Sequence, residues 1–288
     1  MSKELSSVAQ KEFDNEVKHA FQGTYKLEGT VVYRGNVVGN QYDFRLMGKG
    51  QGHKRGAPSS DVVPMDIAHS KPTATLSDWE FPEYTDIYNE AEVNFDEVQE
   101  LAKTIAAAGG RRKDQLIIDA MAAGTYNATL TAGQGGLVDT NVGGAGTGLS
   151  VAKLRAVKKF FNLREVPDDS KIYILIDAEG LDDLLAETEV TSTDYNAVKA
   201  LVQGDVNTFL GMNFITIGNR AEGGLAKNGA IQDAYAWVDN SVGCAVGIDL
   251  QTDVDWVATK SSWLSNANLK MGATIIDNEG VVKLQYTV

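Results

Sequence analysis

His19, His53 and His69 are the three histidines of this 288-residue chain, and Cys244 is its single cysteine. His53 sits in GQGHKRG and His69 in IAHSKP, neither at metal-ligand spacing from a cysteine or another histidine, so no metal ligand set is expected. Cys244 alone can make neither an intramolecular disulfide nor a Cys-based zinc site. It reads as a small buried core residue, and its isolation fits a reducing cytoplasm. The glycine runs GKGQG and GGAGTG lack the terminal Lys-Ser or Lys-Thr of a phosphate loop, and GxSxG is absent. Asp182 with Asp183, and Asp253 with Asp255, are the paired carboxylates that acid-base chemistry would use. The first pair opens a predicted helix, and the second alternates with Val254 and Trp256 as the solvated side of a predicted strand, settings that need no catalytic role. Arg111-Arg112 and Lys158-Lys159 lie on predicted helices and are too few to make a nucleic-acid stripe; exposed helical charge is the default reading, and ion pairing between subunits the sharper alternative. No catalytic, cofactor-binding or metal-binding residue is therefore expected.

The elements around these residues follow from their periodicity. Leu181, Leu184 and Leu185 share one helical face, and Tyr195, Val198, Leu201 and Val202 share a second, capped at Ser192 or Thr193 and ended at Gly204. KIYILID (171–177) and NFITIG (213–218) are rich in β-branched and aromatic residues and read as buried strands. Val98, Leu101, Ile105, Leu116, Ile117, Ala120 and Met121 predict a long helix, or two in series, from a cap at Asn94, with a kink at Gly109-Gly110. Residues 149–161 predict another helix with Leu154, Val157, Phe160 and Phe161 inward and Lys153, Arg155, Lys158 and Lys159 outward. Residues 25–46 alternate loosely and predict a long hairpin whose tip, GKGQGHKRGAPSSD, carries Lys49, Lys54 and Arg55 without an apolar anchor. Such a tip gains order only by lying on something else. SVGCAVGID (241–249) is expected as a short buried helix, and 254–276 and 281–286 as strands about a DNEG turn.

Composition sets the class. The formal charge of -13, from 26 Lys and Arg against 39 Asp and Glu, argues against phosphate-gripping recognition, because that affinity comes from clustered cations. The hydrophilic first thirty residues, with only Val8, Phe13, Val17 and Phe21 as a weak apolar set, read as an arm and carry no signal-peptide run. No stretch approaches the length of a membrane span.

Taken in order, 180–214 (GLDDLLAETEVTSTDYNAVKALVQGDVNTFLGMNF), RRKDQLIIDAM (111–121), TATLSDWEFPEYTDIYNEAEVNFDE (73–97) and the closing runs GATIID and VVKLQYTV resemble a tailed-phage major capsid protein. The resemblance implies an α+β chain with the Hong Kong 97-like capsid fold: an N-terminal arm (1–30), an extended β-hairpin loop (31–78), a peripheral domain with a spine helix (79–165), an α/β axial domain (166–249), and return strands of the peripheral domain (250–288). It further implies a structural, non-enzymatic subunit that assembles with itself as pentamers and hexamers into an icosahedral head around double-stranded DNA. A portal protein, a separate scaffolding protein and a decoration protein are the partners it suggests, with assembly in the host bacterial cytoplasm and no membrane. Scaffolding is expected to be separate because no heptad-rich prodomain precedes the capsid-like region. Lys49, Lys54, Arg55, Arg111 and Arg112 are the candidate inter-subunit contacts. Some proteins of this fold join a loop lysine to a neighbour's asparagine, but the resemblance supplies neither that asparagine nor the catalytic acid. The alternatives are an encapsulin-type shell around protein cargo and, from another class, an acidic α/β enzyme, which would need a deep pocket of convergent polar residues.

Overall fold

The computed structural model describes residues 23–56, 58, 61–90, 97–124, 137–138, 148–186 and 208–288. In chain order the elements are β1 (Val32–Arg34), β2 (Gln41–Asp43), β3 (Leu46–Met47), β4 (His69–Ser70), β5 (Thr73–Thr75), β6 (Ser77–Glu80), β7 (Glu83–Asp86), α1 (Ile87–Glu90) and α2 (Glu97–Ala123). There follow β8 (Leu137–Val138), α3 (Val151–Leu163), β9 (Ile172–Ile176), α4 (Ala178–Ala186), β10 (Thr208–Phe209), β11 (Met212–Thr216), β12 (Lys227–Asn228), β13 (Ile231–Val238), β14 (Val242–Val257), β15 (Ser262–Ile275) and β16 (Val281–Thr287). Residues 1–22 of the predicted arm, with His19, the cap at Asn94, the helix at 195–202 with its Ser192, Thr193 and Gly204 boundaries, and most of the loop 133–148 lie outside the described residues.

Two sheets carry the fold. A seven-stranded sheet runs β10-β11-β9-β13-β16-β8, with β12 also on β13. It is buried on both faces, and the period of two sorts its residues. Ile172, Ile174 and Ile176 of β9, with Ala234, Ala236 and Val238 of β13, face Leu154, Val157, Phe160 and Phe161 of α3 and Leu184 of α4. Leu175, Tyr235 and Trp237 face the opposite way, into a second core shared with α2, β14 and β15. Tyr286 of β16 donates its hydroxyl to Asp177, which also accepts from Gly180 N at 2.7 Å and so holds the start of α4 against the sheet.

The other sheet has five strands, β1-β14-β15-β6, with β7 further along β15, and α2 packs across β15 and β14. It revises several expectations. SVGCAVGID is strand: Val242, Cys244 and Val246 point into the α2 core, while Gly243 and Ala245 turn to the other face. That face is a floor of small residues for Phe44, Ala74 and Leu76. A Cβ on Gly243 would lie 2.6 Å from the Phe44 ring, and one on Gly272, paired with Ala245, would lie 2.1 Å from the Thr75 carbonyl oxygen. The need for close approach, not helix formation, explains the glycines.

The hairpin is shorter than 25–46 suggested. Val32–Arg34 leaves it to pair in parallel with residues 243–245 of β14, and the two-stranded ladders are β2 with β5 and β3 with β4. The helix α2 runs unbroken through Gly109-Gly110. A Cβ at Gly109 would press on Leu250, and one at Gly110 would lie 3.1 Å from Tyr25 N, so the pair lets neighbouring chain approach the helix. Finally, β16 pairs with β13 in the seven-stranded sheet instead of joining the return strands β14 and β15. The chain thus crosses between sheets at 239–241 and again at 276–280.

Candidate assembly interface

Beyond the β3-β4 ladder, closed by Gly48 N to Ala68 O at 2.7 Å, the loop leaves the body. Its root is fixed by Phe44, Ala74 and Leu76 on the small-residue floor and by Lys49, whose Nζ lies 2.7 Å from Glu279 Oε2. Arg164, at the end of α3, reaches the other oxygen of Glu279 at 3.7 Å. The hydrogen bond to Glu279, and then its charge, raise the Lys49 pKa, though the ammonium is well exposed. Lys54 and Arg55 are exposed and form no ion pair among the described residues. On the returning limb Val62, Val63 and Met65 are exposed, Val62 to 94%. The loop thus combines an exposed apolar limb with two cations, Lys54 and Arg55, that form no ion pair among the described residues.

The structure engages Arg111 and Arg112 within their own chain. Arg111 Nη1 donates to Gly23 O at 3.5 Å. Arg112 Nε pairs with Glu222 Oε1 at 2.6 Å, and its guanidinium lies 4.0 Å over the Trp79 ring. The next two residues continue the pattern. Buried Lys113 donates to Asp249 at 2.6 Å and approaches Glu28 at 3.7 Å. Asp114, fully buried, accepts from Lys26 N at 3.0 Å and Leu27 N at 3.1 Å and pairs with Arg220 at 2.9 Å. Arg220 then donates to Gly223 O at 2.9 Å and Thr24 O at 3.3 Å. Successive helical residues are rotated by about 100°, so these four neighbours reach different surroundings, and three of them, Arg111, Lys113 and Asp114, together clasp residues 23–28 to α2. Burial pushes the Asp114 carboxyl above its ordinary range, against the pull of the two backbone N–H donors and Arg220.

Other residues correct or extend the sequence reading. Lys153 is inward, with no exposed surface, and its Nζ donates to Gln285 O at 3.3 Å. Asp183 accepts from Leu149 N at 3.0 Å and ties the entry of α3 to α4, whereas Asp253 and Asp255 are exposed as expected. Cys244 is buried, and desolvation raises its thiol pKa to about 12. Asp114 and Lys153 had a signal available: each shares the helical spacing of an apolar stripe, Asp114 with Ile117, Ile118 and Met121, Lys153 with Val157 and Phe160. Arg220 and Asp249 sit in no periodic pattern and had none. Among the described residues His53 and His69 are exposed, no group of three metal-ligating side chains occurs, and no helix is long and apolar enough to cross a membrane.

This arrangement has known counterparts. The chain aligns over its full length with the capsid of cyanophage P-SCSP1u, at 16% identity, covering 95% of that chain with a TM-score of 0.74. It matches the capsid of a native GTA particle at 15% identity, covering 99% of this chain and 98% of that one with a TM-score of 0.76. The head of Helicobacter pylori bacteriophage KHP40 matches at 13% identity, with 97% and 96% coverage and a TM-score of 0.74. Among curated proteins nothing matches. These identities speak for the α+β capsid fold. Membership comes from the sequence, because the family model described as phage capsid protein matches residues 5–288. By that near-complete match the chain belongs to the phage capsid protein family, as a structural major capsid protein.

Proposed function

We propose that this capsid protein builds an icosahedral phage head from pentamers and hexamers and encloses double-stranded DNA without reading its sequence. The observation that carries this reading is the loop 48–68: its root is anchored through Phe44 and Lys49, while Val62 and the cations Lys54 and Arg55 stand in solvent. Burying such apolar side chains against a neighbour is worth about 1.5–3 kcal/mol each. A shell repeats each contact many times. The seven-stranded sheet with α3 and α4 then serves as the axial wedge, and α2 with the five-stranded sheet as the peripheral domain, with β14 in the latter and β16 in the former. Residues 1–30 act as an arm whose departure is set by the clasp of Arg111, Asp114 and Arg220 on 23–27. The net charge of -13 keeps an inner wall from adhering to packaged DNA. Assembly takes place in the host cytoplasm with a portal and a separate scaffolding protein, and a decoration protein is a further partner.

The test is expression of the full chain, with and without residues 49–67, followed by gradient sedimentation and electron microscopy. Closed shells from the full chain and a folded, shell-deficient deletion are expected. Shells of normal yield from the deletion would reject the role given to the loop, and a stable monomer under all conditions would reject self-assembly by this chain alone.

A further inference from the structure

On the outer side of α3 the protein reverses its own charge. Between Asp139 and Glu165 lie Lys153, Arg155, Lys158, Lys159 and Arg164 and no carboxylate, in a chain of formal charge -13. Lys153 is inward on Gln285, and Arg164 turns to Glu279 and the Phe160 ring. Arg155, Lys158 and Lys159 remain, and none of them makes an ion pair or hydrogen bond among the described residues. With Asn162 they stand at i, i+3, i+4 and i+7, one stripe of the helix. Like charges at this spacing destabilise a helix, and an opposing charge from outside relieves them.

The stripe borders a cleft of about 390 Å³ lined by Arg155, Lys158, Lys159, Asn162, Leu163 and Leu210. Leu163 is 70% exposed and Leu210 39%. The second leucine is held there by a strained turn. Phe209 pairs with Met212 where β10 meets β11, which leaves Leu210 and Gly211 as a two-residue turn with φ of 53° and 77°. Such turns ordinarily take asparagine or aspartate before the glycine, because other side chains are disfavoured at positive φ. Leucine here acts against the turn and supplies apolar surface to the cleft. A Cβ at Gly211 would lie 3.8 Å from Lys158 Nζ, so ammonium and turn are neighbours. Cations beside exposed leucines fit carboxylates and apolar side chains presented together. A DNA backbone offers the charge but nothing apolar for Leu163 and Leu210. Nor do α2, α4 and β14 of this chain present the two together among the described residues. The helices expose Asp119, Glu179 and Asp182 but no large apolar side chain, and on β14 Asp253 and Asp255 alternate with Val254 and Trp256 onto opposite faces.

We propose that this face of α3, with the turn at 210–211, docks an acidic amphipathic helix of a separate protein, its carboxylates on Arg155, Lys158 and Lys159 and its apolar side chains on Leu163 and Leu210. The inference concerns binding by the subunit and stands apart from the shell reading. Its test is the fluorescence anisotropy of a synthetic helix, with glutamates along one stripe and leucines along the next, titrated with the full-length chain. A scrambled peptide of the same composition and a short duplex DNA are titrated alongside. The ordered helix should bind, and more weakly as salt is raised. Lys158→Glu with Lys159→Glu should weaken binding by about 10-fold or more, and Leu163→Ser by about 10-fold. Circular dichroism keeps unfolding from being read as lost binding, and Arg155→Gln gives the same reading should the double reversal not fold. No binding, or equal binding of the scrambled peptide, would overturn the proposal, and tighter binding of the DNA would replace the protein partner by nucleic acid. Maleimide labelling of Lys159→Cys tests the remaining occupant, with Cys244 buried and silent. Labelling of assembled protein at the rate of the free subunit is expected. Protection on assembly would make a second copy the occupant and overturn the separate partner.

Discussion

Replacing Asp114 by alanine should destabilise the subunit by about 3–5 kcal/mol, the range for breaking a buried charge pair. The magnitude follows from what is stranded. Leu27 is fully buried, so its N–H, now 3.1 Å from Asp114, has no water to turn to. The N–H of Lys26 loses the same acceptor, and Arg220 loses a partner at 2.9 Å. Each unsatisfied buried donor costs about 1–3 kcal/mol. Arg220 contributes toward the lower end, because it retains the carbonyls of Thr24 and Gly223 and its side chain keeps 15% of its surface exposed. Asp114→Asn should fall between, since the amide oxygen still accepts a backbone bond while its NH2 faces another donor. Urea unfolding gives the total, and hydrogen exchange at Lys26 and Leu27 gives the local part. A loss below about 1 kcal/mol with unchanged protection at both amides would refute the clasp as the element that holds residues 23–28 to α2.

Gly243→Val should destabilise by about 1–3 kcal/mol and speed proteolysis of 48–68, since its Cβ must displace the Phe44 ring 2.6 Å away; wild-type cleavage rates would mean the loop root is held elsewhere. Leu184→Ala, at a side chain 1% exposed against β9 and α3, should cost about 2–5 kcal/mol, and an unchanged unfolding midpoint would show that α4 does not hold that core. Asp249 is titrated against two effects: burial raises its pKa, but the Lys113 hydrogen bond, the Leu250 N–H and the Lys113 charge together take it below 3.8. Its contribution is therefore complete above the unfolded pKa and is lost as pH falls through the lower folded value, so Asp249→Asn should lessen acid sensitivity below pH ~4. Asp114 has the opposite sign, because its raised folded pKa makes the folded state bind that proton more tightly than the unfolded chain does.

Local pattern by itself determined the elements whose burial is one-sided or whose strands are uniformly apolar. The helix at 151–163, the strands at 172–176 and 212–216 and the apolar face of α4 were all legible, because a period of 3.6 or an unbroken β-branched run is written within a few residues. The residues of 241–249 were not. A short run of Val, Gly, Cys and Ala suits a buried helix or a buried strand alike, and the choice rests on Phe44, β15 and the α2 core, which lie far away in sequence. The same holds for charge. Arg112 looks solvent-bound on a helix surface, but Glu222 with Trp79 receives it, and although Lys153 shares the stripe of Val157 and Phe160, nothing near it in sequence names Gln285 as its acceptor. Partners this far apart in sequence leave no periodic trace of one another. Only the folded chain brings them together and decides which cations bind the protein to itself.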